Sequence, residues 1–577
     1  MRNAPVMNSA SLRRSLTLVI ATAVAFVLAA CSQQPQPQPQ PDQLAIRFEA
    51  PPTVGSTSFE VPFGCSRTLE LDLVWPTDYE GEVQLSLDDG SLPAGVSLSD
   101  TEATLARADL PWHVTVTAAS SVTAQDLAAV FSLPVTVTTL EPTPAAAEES
   151  DELVLTGAVL ALVTNTDDDG PGSLRHLIDN VPASGSGPVV IGFDPVVFDA
   201  PATITLQSTI VLGSDHTLRG VTDGDGAPLV TLDGANAIDR LMSIKDGVTV
   251  TLDSLGFARA AQLAITNQGD LTVKNSVVTG NGHNVPAGQE TWGGGIFSVL
   301  GSLTIEDSII SDNRATLGGG VYAASGTVTI TGSTLELNQA DKEGAGAYVH
   351  ADASLAIERS SLLDNHAGEQ GGGVGTHGDL VVVNSTFSGN RADTFGGAGI
   401  NVNLGGKLNM SGSLLHANVG NLNGGGLFNN GEATIVNSTL TANEAMRGGA
   451  IFSSSNAAAV TRLSFSTVAW NSAVTRAGAS GIVGGGGIYS TNLVEMNASI
   501  VAGNSVPAGH VGPDIYTSAG KQSVSHGYNI VGDSADAGLS GPGMGSDEYG
   551  VAAGTVLASD SRRVRAGHGR TPATHRG

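Results

Sequence analysis

One phrase, Ser-x-x-x-x-Asn, returns nine times at nearly regular intervals, and it limits the folds open to this chain more than any other feature. Its Asn residues are Asn281, Asn313, Asn338, Asn365, Asn390, Asn418, Asn443, Asn471 and Asn504, separated by 32, 25, 27, 25, 28, 25, 28 and 33 residues. Each Asn but the last is followed by a glycine step, such as Gly318-Gly319-Gly320 or Gly424-Gly425-Gly426, and then an apolar residue, as in Val321 and Leu427. Between the glycine step and the next Ser, apolar and polar residues alternate, as in Leu303-Thr304-Ile305-Glu306. A recurring period of 25 to 28 residues marks a solenoid, and no helical periodicity accompanies it. Three strands of about five residues plus turns fill such a coil, each coil rising by the roughly 4.8 Å between paired strands. The expected fold is all-β, a right-handed parallel β-helix. The nine Asn residues are expected to stack as an amide ladder and to sit in left-handed turn positions. Glycine at the next corner supplies backbone angles that a Cβ forbids.

Composition agrees. Glycine accounts for 74 of 577 residues and charged residues for 14%, against roughly 25% charged in ordinary globular chains. Hydrophobic residues still make up 41%, enough to build a core.

The repeat resembles the right-handed parallel β-helix family of pectin-lyase-like solenoids, in the style of the polymorphic outer-membrane protein repeats. The nearest phrases are Gly448-Gly449-Ala450-Ile451 and Phe387-Ser388-Gly389-Asn390. Upstream, Asn165-Thr166-Asp167-Asp168-Asp169-Gly170-Pro171-Gly172-Ser173-Leu174-Arg175 resembles the opening phrase of secreted bacterial β-helix proteins. Ser173 suits the N-cap of a short helix through Ile178, expected to plug the open end of the solenoid. Downstream, Gly512-Pro513-Asp514 and Gly527-Tyr528-Asn529-Ile530-Val531-Gly532 resemble the end of choice-of-anchor Q surface proteins. The resemblance spans Leu153 to Gly532 and implies display at a cell surface.

The N terminus carries an address. Arg2, Arg13 and Arg14 precede an apolar run from Leu16 to Ala30, a signal-peptide pattern. The run ends Leu28-Ala29-Ala30-Cys31, which resembles the lipobox of bacterial lipoproteins and implies lipid on Cys31. The one other cysteine, Cys65, then has no intrachain partner, so a disulfide framework is excluded. Alternating Pro and Gln to Pro41 favours an extended spacer. The expected order is a lipoprotein signal peptide over 1–30 and a tether over 31–43. An immunoglobulin-like β-sandwich over 44–140 and a linker over 141–152 follow, then the β-helix over 153–558 and a basic tail over 559–577. The sandwich rests on alternations such as Val83, Leu85 and Leu87 against Gln84 and Ser86, and on turn clusters such as Leu92-Pro93-Ala94-Gly95. The expected location is the cell envelope, lipid-anchored, at the outer membrane or cell surface.

Charge narrows the function classes. A net charge of −29 excludes nucleic acid as a partner, and the chain is expected to be a monomer without cofactor or metal. Asp223-Gly224-Asp225-Gly226 reads as a turn rather than a cation loop. No catalytic set is recognised. Charge is concentrated instead in the loops after successive Asn residues, where Arg314, Asp341, Glu343, His366, Glu369, Arg391 and Asp393 would stack at one corner as a stripe for a glycan or protein partner. The expected function is a surface scaffold for adhesion or for glycan or partner binding. The alternative is a secreted polysaccharide lyase or glycoside hydrolase, carried by fold analogy alone.

Overall fold

The computed structural model describes residues 150–181, 188–286, 288–476 and 481–551, together with 20–23, 42–47, 58–62, 66–74, 82–106, 109, 112–118 and 130–140. Cys31, Cys65, the Pro/Gln alternation to Pro41 and the tail from Ser559 lie outside these residues. The chain divides into two compact units, residues 1–200 with 215–219, and residues 201–214 with 220–577.

The first unit is a small β-sandwich. One sheet runs in the order Ile20–Ala23, Asp42–Arg47, Ser66–Val74, Trp112–Ala118, Val96–Leu98. In the other, Glu82–Leu87 lies between Glu102–Leu105 and Val130–Leu140, and Ser150–Val163 joins Val130–Leu140 to Ser58–Pro62. The alternation seen in the sequence is the reason: Leu85 and Leu87 are buried between half-exposed neighbours, as are Val114 and Val116. Ser150–Val163 continues past the sandwich, where Ala161, Leu162 and Val163 pair in parallel with Ile191, Gly192 and Phe193. Ser173 caps a helix over Leu174–Asn180 by accepting from the His176 N–H at 3.2 Å, and the helix buries Leu174 and Leu177.

The second unit is a parallel β-solenoid of about 13 turns. Each regular coil holds four short strands rather than three. In one coil these are Ile296–Ser298, Ser302–Glu306, Ile309–Ser311 and Arg314–Leu317, termed here the glycine, long, serine and corner strands. The fourth arises because the chain stays extended after each ladder Asn before it reaches the glycine step. The serine strands form a 14-stranded parallel sheet and the corner strands a 7-stranded one. Pairing is in register from coil to coil, for example Leu303 with Val328 and Leu355 with Leu380. Inward positions form continuous apolar columns such as Ile310, Leu335, Leu362, Phe387 and Leu415, all fully buried. Each such side chain contributes on the order of 1.5–3 kcal/mol by leaving water. The corner strands pack closely because their inward residue is small, as in Ala315, Ala340, Ala367 and Ala392.

Two polar ladders run through this core. Asn281 Nδ2 donates to Asn313 Oδ1 at 2.9 Å, and the same bond recurs through Asn338, Asn365, Asn390, Asn418, Asn443, Asn471 and Asn504 at 2.8–3.1 Å. The backbone N–H of each Asn donates to the same Oδ1 of the next, as from Asn365 to Asn390 at 3.0 Å. Each Ser of the phrase after Ser276 accepts at Oγ from the backbone N–H of the Ser one coil before, as Ser333 does from Ser308 at 3.1 Å, and Ser276 accepts from Leu255. The ladder Asn residues are not the left-handed ones. Positive φ falls one position earlier, at Asp312, Leu337, Asp364 and Ala417 before the Asn and at Asn275, Asp307, Arg359 and Asn384 before the Ser. A residue whose amide must point inward keeps ordinary backbone angles, and the preceding residue makes the turn. Gly318 shows why the next corner takes glycine: its φ is +65° and a Cβ would lie 2.5 Å from the Val321 carbonyl oxygen.

Candidate functional site

On the glycine strands the middle residue points outward. Register fixes these residues as one column: Phe297, Tyr322, Tyr348, Gly375, Asn401, Phe428, Phe452, Tyr489 and Tyr516. Aromatic rings stack along both arms; Phe297, Phe428 and Tyr516 are partly exposed, whereas Tyr322, Tyr348, Phe452 and Tyr489 are nearly buried. Tyr322 and Tyr348 lie 4.9 Å apart, and Phe428, Phe452 and Tyr489 follow one another at 5.5 and 5.4 Å. A second column, just before the glycine steps, is defined by parallel bridges from Trp292 through Leu317, Glu343, Gln370, Gly396, Asn423 and Arg447. The two columns adjoin: Trp292 stands 6.2 Å from Phe297 by ring centroid, and Asn401 Nδ2 reaches Glu343 Oε1 at 2.8 Å.

The aromatic column breaks at Gly375 and Asn401, and Glu343 crosses into the break. A Cβ on Gly375 would lie 2.5 Å from Glu343 Cγ, so this residue is glycine to make room for the carboxylate side chain. Glu343 Oε1 accepts from Asn401 Nδ2 at 2.8 Å and from Asn403 Nδ2. Its other oxygen lies 3.7 Å from His377 Nε2. His377 packs on Tyr348 at 5.7 Å, and burial followed by the Glu343 charge pushes the Tyr348 hydroxyl above its ordinary range. The result is a nearly buried carboxylate, held by two amides and opened toward solvent by a half-exposed imidazole, with aromatic rings to either side.

The corner stripe expected from sequence separates into three groups. Arg314 pairs with Asp341 at 2.8 Å. Asp393 accepts from Arg391 Nε at 2.6 Å and meets His366 Nε2 at 2.8 Å. Burial alone would raise the Asp393 carboxyl, but the Arg391 and His366 hydrogen bonds and charges outweigh it and hold it below the ordinary range. Glu369 follows Lys342 along the same corner, its N–H donating to the Lys342 carbonyl at 2.9 Å. Glu343 turns away from these exposed side chains toward Gly375, Asn401 and Asn403. Asp223 accepts at Oδ1 from the Asp225 and Ala227 N–H groups, a local turn. Among the described residues no group of three or more His, Cys, Asp or Glu is placed to hold a metal ion.

Asn401, Asn403, Gln370 and His377 are absent from the sequence reading. A signal for them exists. The residue after the apolar one that follows each glycine step is aromatic in six of eight coils, and Gly375 and Asn401 are the exceptions. No protein-family model, curated protein or solved structure matches this chain.

Proposed function

We propose that this chain is a lipid-anchored envelope protein whose β-solenoid presents the groove between the two adjoining columns to a glycan chain. The observation that carries the reading is the aromatic column with a hydrogen-bonding centre. Sugars offer apolar ring faces that pack on aromatic rings and hydroxyl edges that need amide, carboxylate and imidazole partners. The groove runs along the solenoid axis, so an extended polymer meets one coil after another. The corner stripe supports the reading less, because its charges are largely spent on one another. Hydrolysis of a glycoside takes two facing carboxylates, and in the described cluster Glu343 is the one carboxylate, which favours binding over turnover. The lipid on Cys31 and the Pro/Gln spacer would set the solenoid above the membrane it decorates.

The test is a glycan array probed with the purified chain, followed by titration calorimetry on the hits. Phe428→Ala, at a partly exposed ring of the column, is expected to weaken binding about tenfold or more, the loss of one stacked ring. Simultaneous Asp341→Ala, Glu369→Ala and Asp393→Ala is expected to leave it unchanged. Loss in the triple variant with full binding in Phe428→Ala would move the site to the corner stripe. Silence of the whole array would retire glycan binding.

A further inference from the structure

Two acceptors beside the break in the aromatic column lack the partners that each interior ladder Asn finds, as do a few other buried polar atoms such as Thr266 Oγ1 and Ser453 Oγ. Each interior ladder Asn satisfies its whole side chain: Asn390, for example, donates to Leu362 and Asn418 and accepts twice from Asn365. Asn401 and Asn423 do not. The Oδ1 atoms of both are buried and have no hydrogen-bond partner in the protein. They belong to successive coils and to different columns, Asn401 to the aromatic column and Asn423 to the bridge column. Buried acceptors left without donors are costly, and such exceptions in a well-satisfied fold call for an explanation.

We infer, on the strength of the groove reading above, that the break in the aromatic column is a subsite for one uncharged sugar residue whose hydroxyls donate to Asn401 and Asn423. Three features select this ligand class. Asn401 is locked with its amide nitrogen on Glu343, which leaves the carbonyl oxygen as the free end and demands a donor. Glu343 is a nearly buried carboxylate, and among the described residues its one ion-pair partner is the His377 imidazole. A uronate or sulfated sugar would set a second negative charge beside that carboxylate with no arginine or lysine paired to it; a neutral sugar would not. Finally, Tyr348 and Phe428 bound the break three coil steps apart, about 14 Å at the usual strand spacing, which provides a ring at either end. Access runs past Gln370, which is partly exposed and makes one 3.3 Å bond to Asn403.

The experiment titrates the full chain with neutral oligosaccharides (gluco-, manno- and galacto-series) and with oligogalacturonate as the charged counterpart of the last. Wild type is expected to bind a neutral series at least about tenfold more tightly than the uronate. Glu343→Gln keeps an acceptor for the asparagine amides while removing the charge, and is expected to bring the two affinities within about threefold of each other. Asn423→Ala is expected to weaken the neutral ligand about tenfold at unchanged thermal stability. An unchanged neutral-to-uronate ratio in Glu343→Gln, with binding still lost in Phe428→Ala, overturns the subsite while the groove stands. Absence of any binding by wild type overturns both.

Discussion

Asn390 lies midway along the amide ladder, and replacing it by alanine tests the account of what holds the solenoid together. Its Oδ1 accepts from the Asn365 N–H and Nδ2, each at 3.0 Å, and its Nδ2 donates to the Leu362 carbonyl and Asn418 Oδ1, each at 2.9 Å. Asn390→Ala therefore strands two donors of Asn365 in a fully buried site. At about 1–3 kcal/mol for each stranded group, the expected loss is about 2–6 kcal/mol. Coils contact only their neighbours, so the loss should appear locally. Hydrogen exchange read by mass spectrometry should speed up in peptides spanning 360–420, by about 30-fold at the low end of that range. Peptides near 230 and 520 should be much less affected. Asn409→Ala, on an exposed outward position of a long strand, is the control and should change stability by less than about 0.5 kcal/mol. If Asn390→Ala behaves like Asn409→Ala, the ladder is decoration on a fold held by its apolar columns, and the reasoning fails.

Other perturbations give clear expectations. Gly319→Ala would bring a Cβ within 2.3 Å of the Gln339 carbonyl oxygen, so a loss of about 1–3 kcal/mol is expected in urea unfolding. Asp514→Asn replaces an acceptor that faces the Asp533 N–H at 2.7 Å with a donor, or else gives up the bonds from Asn504, and should lower the protection of peptides over 500–550. Asp514 also sets a pH dependence. Burial raises its carboxyl above the ordinary value, against the pull of the Asn504 and Asp533 hydrogen bonds. The folded chain then holds this proton more tightly than the unfolded chain, so Asp514 adds stability as pH falls from the raised value toward the ordinary one near 3.8. Urea midpoints for wild type and Asp514→Asn at pH 4 and pH 7 should separate further, in favour of wild type, at the lower pH; a constant separation would contradict this. Asp393→Asn at the exposed corner should cost less than about 1 kcal/mol in the same assay.

Most of the scaffold was legible because its determinants repeat. A buried amide every 25 to 28 residues has to be satisfied by its neighbours, and parallel stacking in register is the arrangement that does so. The left-handed position was misplaced by one residue because Asn is tolerant of that conformation in general, whereas here its side chain is committed to the ladder. The corner strand was missed because its signal is a single small residue two positions after most of the Asn residues, as at Ala340, Ala367 and Gly420. The groove was less legible for a different reason. It depends on a side chain from one column reaching residues 58 and 60 positions away, Asn401 and Asn403, and such a contact has no local periodicity. Glu343 looked like one more loop charge until Gly375 was seen to leave it space.

The amide ladder has a direction. From rung to rung, every Asn donates toward the C-terminal side and accepts from the N-terminal side, so any interior coil presents the same ladder interface above and below. The first rung takes its donor from the Ala260 backbone, and the last, Asn504, gives its proton to Asp514, a residue that accepts and has nothing to pass on. Whole coils can therefore be gained or lost between these ends without changing the kind of bond made anywhere. Length is free to drift by duplication or deletion in units of one phrase. The two terminators are not interchangeable with the coils between them, and a tandem copy placed beyond Asp514 would meet a rung that offers no donor.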